Sequence, residues 1–276
     1  MPGSAATPDR TAAVAARLGG TRFADLRWFA QIDSTNRYLL DEARAGAPEG
    51  AVAVTDFQTA GRGRLGRSWE SPPGASLLVS VLLRPALPLE RVHLVTMAAA
   101  VALAEAVADV AGFAPDLKWP NDLVVDGRKL AGLLAEADTS GDRPAVVVGA
   151  GLNVAWEELP PELAETATAC NLEISRRLPA DAARVPGRED LLVAYLHRLE
   201  GRYRGLEDAR AEYRRRLATL GRRVRVELPT GAVTGVAADL GPAGQLLVDA
   251  DGGARVEVTA GDVVHLRPDP GSPPAP

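Results

Sequence analysis

Gly61-Arg62-Gly63-Arg64-Leu65-Gly66-Arg67-Ser68-Trp69 is the stretch on which the fold turns. Residues 61–66 match the dinucleotide pattern G-x-G-x-x-G. Residues 61–68 match the phosphate-loop pattern, except that Arg67 stands in place of lysine. Both motifs set an anion on the N-terminus of a helix that begins inside the loop. Here Pro72-Pro73-Gly74 follows closely, and two prolines exclude that helix. What remains is a loop, residues 58–74, that joins one strand to another. Its glycines let backbone amides approach an anion, and three guanidiniums surround the same space, which suits a phosphate or a carboxylate. An exposed Arg-Gly loop with no ligand is the plain alternative. The same glycines, with almost no apolar anchor before Trp69, predict a loop that is mobile when empty and ordered by ligand.

Outward from the loop, Ala51–Phe57 and Ser76–Leu83 read as strands. Upstream, residues 27–32 read as a strand, Asp33-Ser34-Thr35-Asn36 as helix-capping residues, and Tyr38–Ala45 as the helix they open. Downstream, Pro88–Gly112 is the longest helical candidate. Strands follow at Asp116–Trp119, Leu123–Val125, Lys129–Glu136 and Ala145–Val154, with Asp126-Gly127 as a hairpin turn. Residues 156–171 are irregular and acidic, and residues 188–204 and 207–219 fit amphipathic helices. This is an α+β pattern with a mixed, largely antiparallel sheet. After Gly221 the period changes to two: Val224, Val226 and Leu228 alternate with Arg225 and Glu227. The expected organisation is a flexible tail over 1–20 with room for one short helix, a main domain over 21–220, a separate small β-barrel over 221–268 and a disordered tail over 269–276.

The 276 residues, 46% of them apolar, suffice for one large domain and a small one. A net charge of −5 argues against a general nucleic-acid module, which carries a basic excess. The single cysteine, Cys170, excludes an internal disulfide and fits a reducing compartment. It reads as a small buried side chain. The three histidines have no ligand-like spacing. The first residues lack a signal-peptide pattern, and apolar stretches such as Met97–Val110 are broken by Glu105 and Asp109, short of the roughly 20 residues a membrane span needs. A cytoplasmic protein with no membrane contact is expected.

The loop with Trp69 matches the G-R-G-R-x-G-R-x-W signature of the biotin–protein ligases. Four further motifs stand in family order: Ser34-Thr35-Asn36 with Gln58, Lys118-Trp119-Pro120-Asn121-Asp122, Lys129-Leu130-Ala131-Gly132, and Gly149-Ala150-Gly151-Leu152-Asn153. The chain therefore resembles a biotin–protein ligase over about residues 27–154, and more weakly in its last domain. The resemblance implies a catalytic domain similar to class II aminoacyl-tRNA synthetases and an SH3-like C-terminal barrel. It implies biotin and ATP as substrates, Mg²⁺ with the ATP, and a biotin carboxyl carrier domain as protein partner. About 26 residues precede the first expected strand, too few for the helix-turn-helix of family members that repress transcription, so no specific DNA binding is expected. The state expected is monomer or homodimer. Lipoate–protein ligase is the rival within the same chemistry.

Residue by residue, the resemblance makes Lys129 the main electrostatic catalyst, bridging the biotin carboxylate and the α-phosphate, with Arg64 assisting. Ser34, Thr35, Asn36 and Gln58 match the biotin pocket, and Arg62, Gly63 and Arg64 match loop positions that cover biotin and phosphate. Arg67, Trp69, Lys118, Asn121, Asp122 and Asn153 fall on the ATP side, with Trp69 against adenine and Asp122 as a candidate Mg²⁺ ligand.

Overall fold

The structure is a computed structural model that describes residues 8–141, 144–179, 183–228, 231–259 and 261–265. Its main sheet has seven strands: β1 (Leu26–Phe29), β2 (Val52–Thr55), β3 (Ser76–Leu83), β4 (Asp116–Lys118), β5 (Asp122–Val125), β6 (Arg128–Asp138) and β7 (Ala145–Asn153). They lie in the order β1-β2-β3-β7-β6-β5-β4. Only β1 and β2 run parallel; the other neighbours are antiparallel, so the sheet is mixed, as expected. Asp126 and Gly127 both adopt positive φ (50° and 78°), the conformation of a two-residue hairpin between β5 and β6.

The two faces of the sheet are set by period-two alternation. Along β7, Val146, Val148, Ala150 and Leu152 enter the large core, while Ala145 and Val147 pack under helix α2 (Thr35–Arg44) with Leu39, Leu40 and Ala43. On that second face the next β7 positions are Gly149, Gly151 and Asn153. There only the first turn of α2 reaches the sheet, with Asn36 against Gly149, and Trp69 packs on Gly151; a cleft opens beside them. The opposite face is closed by α3 (His93–Ala111), with α5 (Arg188–Arg204) and α6 (Leu206–Arg215) packed on it. Gly112, left-handed at φ 75°, ends α3 with its N–H on the Ala108 carbonyl.

Helix α3 corrects one expectation. Leu89–Ala111 is 23 residues long and apolar enough to cross a membrane by length and composition. Most of it is buried inside the protein, and its one charge in the core, Glu105, is held by Arg202 and Arg216. It is apolar all round because it is surrounded by protein.

The N-terminal segment also differs from a tail. Residues 1–7 lie outside the described residues, but α1 (Pro8–Arg17) is a helix whose Val14 enters the core, followed by the buried Leu18. Arg10 pairs with Asp56 and Glu189 and sits 3.7 Å over the Trp28 ring, joining three distant segments. A further helix, α4 (Cys170–Arg177), begins at the end of the irregular acidic stretch, where no element was expected. It buries Glu173 completely among Arg128, Arg176, Arg177 and Thr168. Burial alone would raise the Glu173 carboxyl; the Thr168 hydroxyl and the arginines outweigh it and hold the carboxyl below its usual range.

Past Gly221, five strands form an antiparallel sheet ordered β11-β10-β9-β8-β12: β8 (Arg223–Leu228), β9 (Gly231–Leu240), β10 (Leu246–Ala250), β11 (Arg255–Val258) and β12 (Asp262–His265). Val224 and Val226 are buried and Arg225 and Glu227 exposed, as the alternation requires. This unit packs directly against the main sheet's core. Its buried side chains form one continuous apolar cluster with the main core, and Trp119 donates its indole N–H to the Gly244 carbonyl across the seam at 3.0 Å. Residues 266–268 and the expected tail over 269–276 lie outside the described residues.

Candidate active site

The Gly-Arg loop is a small hairpin. Trp69 N–H donates to the Gly61 carbonyl (3.0 Å), and Gly63 N–H to that of Arg67 (2.7 Å). A tight turn over Arg64–Gly66 closes it, with Leu65 and Gly66 left-handed at φ 54° and 75°. The glycines serve this geometry. A Cβ on Gly61 would stand 2.3 Å from the Trp69 carbonyl oxygen, and Gly66 takes the turn conformation that side chains disfavour. No α-helix starts in the loop, consistent with the prolines.

The hairpin is tied down at every arginine. Arg62 pairs with Glu136 of β6 at 2.9 Å. Arg64 donates to the Gly261 carbonyl at 3.2 Å and toward Asn121 Oδ1 at 3.4 Å. Arg67 pairs with Asp262 at the start of β12. The expectation of a loop with almost no apolar anchor left these polar partners out; they come from the β4–β5 turn, β6 and the C-terminal unit. Arg64 has no carboxylate partner among the described residues. Burial pushes its guanidinium pKa down, Asp122 offsets part of this and Arg67 adds to it, leaving a desolvated cation short of negative charge.

Beneath the hairpin lies a cleft of about 740 Å³. Ser34, the N-cap of α2 (φ −155°), lines it with Thr35, Asn36 and Gln58. Thr35 donates both its N–H (2.9 Å) and its hydroxyl (3.1 Å) to Gln58 Oε1, while the Gln58 amide hydrogens have no hydrogen-bond partner among the described residues. Ser80 Oγ lies 2.7 Å from Thr35 Oγ1 and 2.6 Å from Asn36 Oδ1, its one proton serving one acceptor at a time. Asn36 Nδ2 donates to the Leu134 carbonyl (3.1 Å) and to Glu136 (2.9 Å). Gly149 makes room for this amide: a Cβ there would be 2.2 Å from Asn36 Oδ1.

Trp69 lies on a cross-strand glycine pair. Gly132 of β6 and Gly151 of β7 are partners in register. A Cβ on Gly151 would meet the indole at 2.5 Å, and one on Gly132 at 3.0 Å. The buried Trp69 Nε1–H has no acceptor among the described residues, an omission that costs about 1–3 kcal/mol unless a ligand supplies one. Past Trp69 a second cleft of about 870 Å³ opens, lined by Asn153, Trp156 and Leu159. Asn153 is engaged there by Ser76 (3.4 Å) and by the Thr168 carbonyl (3.0 Å).

Lys129 lines both clefts, at their junction with Trp69. Its Nζ is 5.5 Å from the indole centroid and 2.8 Å from Asp122 Oδ1, an ion pair whose angles do not make a hydrogen bond. The acidic stretch seats its backbone: Lys129 N–H donates to the Thr166 carbonyl, and Thr168 N–H to that of Lys129. Lys118 does not line the clefts. It stands across from Asp122 in the β4–β5 register, and burial pulls its pKa down against the attraction of Asp122. Asn121 lines the main cleft, but its amide is taken by the Leu133 carbonyl and by Arg64.

No group of three His, Cys, Asp or Glu side chains that could hold an ion occurs among the described residues. Asp122, paired with Lys129, is a single carboxylate, of the kind that holds Mg²⁺ only together with substrate phosphates and water. Four contributors were not singled out from sequence: Ser80, Glu136, Gly261 and Asp262. Ser80 had a legible signal, a lone hydroxyl in the apolar run Leu77–Leu83. Glu136 shares a strand face with Gly132 at period two. Gly261 and Asp262, nearly 200 residues from their arginines, had none.

A family model described as "Biotin/lipoate A/B protein ligase family" matches residues 28–153, and one described as "Biotin protein ligase C terminal domain" matches residues 219–266. The chain is 40% identical over 258 residues to the biotin–[acetyl-CoA-carboxylase] ligase of Mycobacterium tuberculosis, covering 90% of this chain and 91% of that protein. It is 31% identical over 232 residues to the bifunctional ligase/repressor BirA of Bacillus subtilis, covering 81% of this chain and 69% of that one. The solved biotin protein ligase of Aquifex aeolicus, in complex with biotin and ATP, aligns with a TM-score of 0.73 at 27% identity, over 88% of this chain and 99% of that one.

Proposed function

The chain belongs to the biotin protein ligase family, and from that premise we propose how its two clefts divide the work. It is an ATP-dependent ligase that joins biotin to AMP and passes the biotinyl group to a lysine of a carboxylase carrier domain. The observation that carries the assignment of roles is Lys129 at the junction of the two clefts. Biotin's carboxylate and the α-phosphate of ATP repel each other, and a fixed cation between them lowers that barrier.

Biotin occupies the cleft under the hairpin, its ureido ring against Ser34, Thr35 and Gln58, whose hydroxyls and amide offer both donors and acceptors. The nucleotide occupies the second cleft, with adenine against Trp69 and phosphate within reach of Asn153. A carboxylate oxygen attacks the α-phosphorus and pyrophosphate leaves. Lys129 and the undercompensated Arg64 stabilise the charge that builds on the α-phosphate oxygens. In the second step the carrier's lysine amine attacks the acyl carbon and AMP leaves with the bonding electrons. Arg67 turns from Asp262 toward the triphosphate. Asp122 orients Lys129, Asn121 holds Arg64, and Lys118 acts through Asp122. Mg²⁺ enters as the chelate of ATP, part of the substrate.

The same reading includes a main domain over 21–220 related to class II synthetases, an SH3-like C-terminal unit over 221–268, a cytoplasmic location and a monomer or homodimer. It includes no specific DNA binding: the described residues ahead of β1 form a helix packed into the core, and the net charge is −5. With ATP and a carboxylase carrier domain, radiolabelled biotin should appear on one carrier lysine, radiolabelled lipoate should not, and duplex DNA should leave the rate unchanged. Equal labelling by lipoate would overturn the substrate assignment.

A further inference from the structure

Gln58 and Arg62 both belong to the loop segment, yet each is held by a different end of one chain of polar contacts. From Gln58 it runs to Thr35, then to Ser80, whose single proton serves Thr35 or Asn36 in turn, then from Asn36 to Glu136, and returns to the loop through the Glu136–Arg62 ion pair. Every link is 3.1 Å or shorter. Asn36 is nearly inaccessible (4% exposed), and both of its amide hydrogens are consumed, by Leu134 and Glu136. It therefore has no donor left for a ligand. Glu136 is the one charged group on the framework side of this ring and does not line the cleft. Its two oxygens do different jobs: Oε2 accepts from Asn36 and Oε1 pairs with Arg62.

From this ring we infer that Glu136 is a positioning residue, which couples the floor of the biotin cleft to the hairpin that roofs it. Resting on the functional reading above, Glu136 orients the Asn36 amide so that Ser80 and Thr35 hold Gln58 Oε1 away from the ligand. At the same time it fixes Arg62 over the cleft mouth. The assignment corrects the expectation for Asn36, whose work is done through its neighbours. A glutamine at 136 can still accept from Asn36 through its oxygen, but it presents an amide to Arg62 and breaks the ring at one defined link.

The test uses Glu136→Gln, Arg62→Gln and the double variant. In biotin-dependent ATP–pyrophosphate exchange, each single change should raise the KM for biotin about tenfold while kcat moves less than threefold. The double variant should be no worse than either single one, because both break the same link. In the substrate-free protein, trypsin should cut after Arg62 several-fold faster in Glu136→Gln than in the parent. Should Glu136→Gln fail to fold, Arg62→Gln, on a half-exposed side chain, carries the kinetic test. A wild-type KM in Arg62→Gln, multiplied effects in the double variant, or unchanged tryptic cutting would each overturn the inference. The tryptic comparison needs no substrate. If the parent shows no biotin-dependent exchange, the functional reading falls, and the cutting rates alone decide the coupling.

Discussion

Lys129→Ala should lower kcat/KM for biotin adenylation by 100-fold or more, about 3 kcal/mol, the scale of one preorganised charge removed from a transition state. The fold should survive. The backbone of Lys129 is held by the Thr166 carbonyl and the Thr168 amide, neither of which involves its side chain. That side chain is 39% exposed, and its pair with Asp122 is of the kind worth about 0–1 kcal/mol. Melting should therefore shift by only a few degrees, and Lys118 remains near Asp122 to limit the cost. Steady-state exchange kinetics together with a thermal melt separate the two effects. A variant that forms the adenylate at the parent rate would remove Lys129 from the mechanism.

Gly151→Ala should raise the KM for ATP by roughly 10- to 100-fold, the 1–3 kcal/mol that a base gains by stacking on an aromatic side chain. The added methyl carbon would stand 2.5 Å from the Trp69 indole, which must leave its seat. Neither φ at Gly151 nor its strand pairing requires glycine, so the sheet should hold and the disturbance should fall on Trp69. The dependence can be checked in a Trp69→Ala background. There Gly151→Ala should add little, since there is no indole to displace. An unchanged ATP KM in the single variant would show that the seat of Trp69 does not matter to the nucleotide.

What the sequence made legible was local. Ser76–Leu83 is a run of apolar residues between turns, and Arg188–Arg204 an amphipathic stretch; both formed as expected. A short helix before residue 20 was legible, but its docking was not, because Pro8–Arg17 is held by distant partners such as Asp56 and Glu189. Helix Cys170–Arg177 was hidden by its charges, since Glu173 is buried only with arginines around it. At the site, motif order brought Ser34, Thr35, Gln58, Arg62, Arg64, Trp69 and Lys129 to one cleft. It did not show what holds them. The hairpin of the Gly-Arg loop depends on the close approach of Gly61 to Trp69, and its anchoring on Glu136, Gly261 and Asp262. The contacts of Gly261 and Asp262 join segments nearly 200 residues apart, where neither composition nor spacing carries a signal.

The central claim is that two clefts meeting at Lys129 join biotin to AMP before any carrier is present. Its most direct measurement is the exchange of labelled pyrophosphate into ATP by the purified protein, with biotin as the only other substrate. The account predicts exchange that requires biotin, saturates with it and needs no carrier domain. Exchange that appeared only when carrier was added, or that ran equally well without biotin, would contradict it.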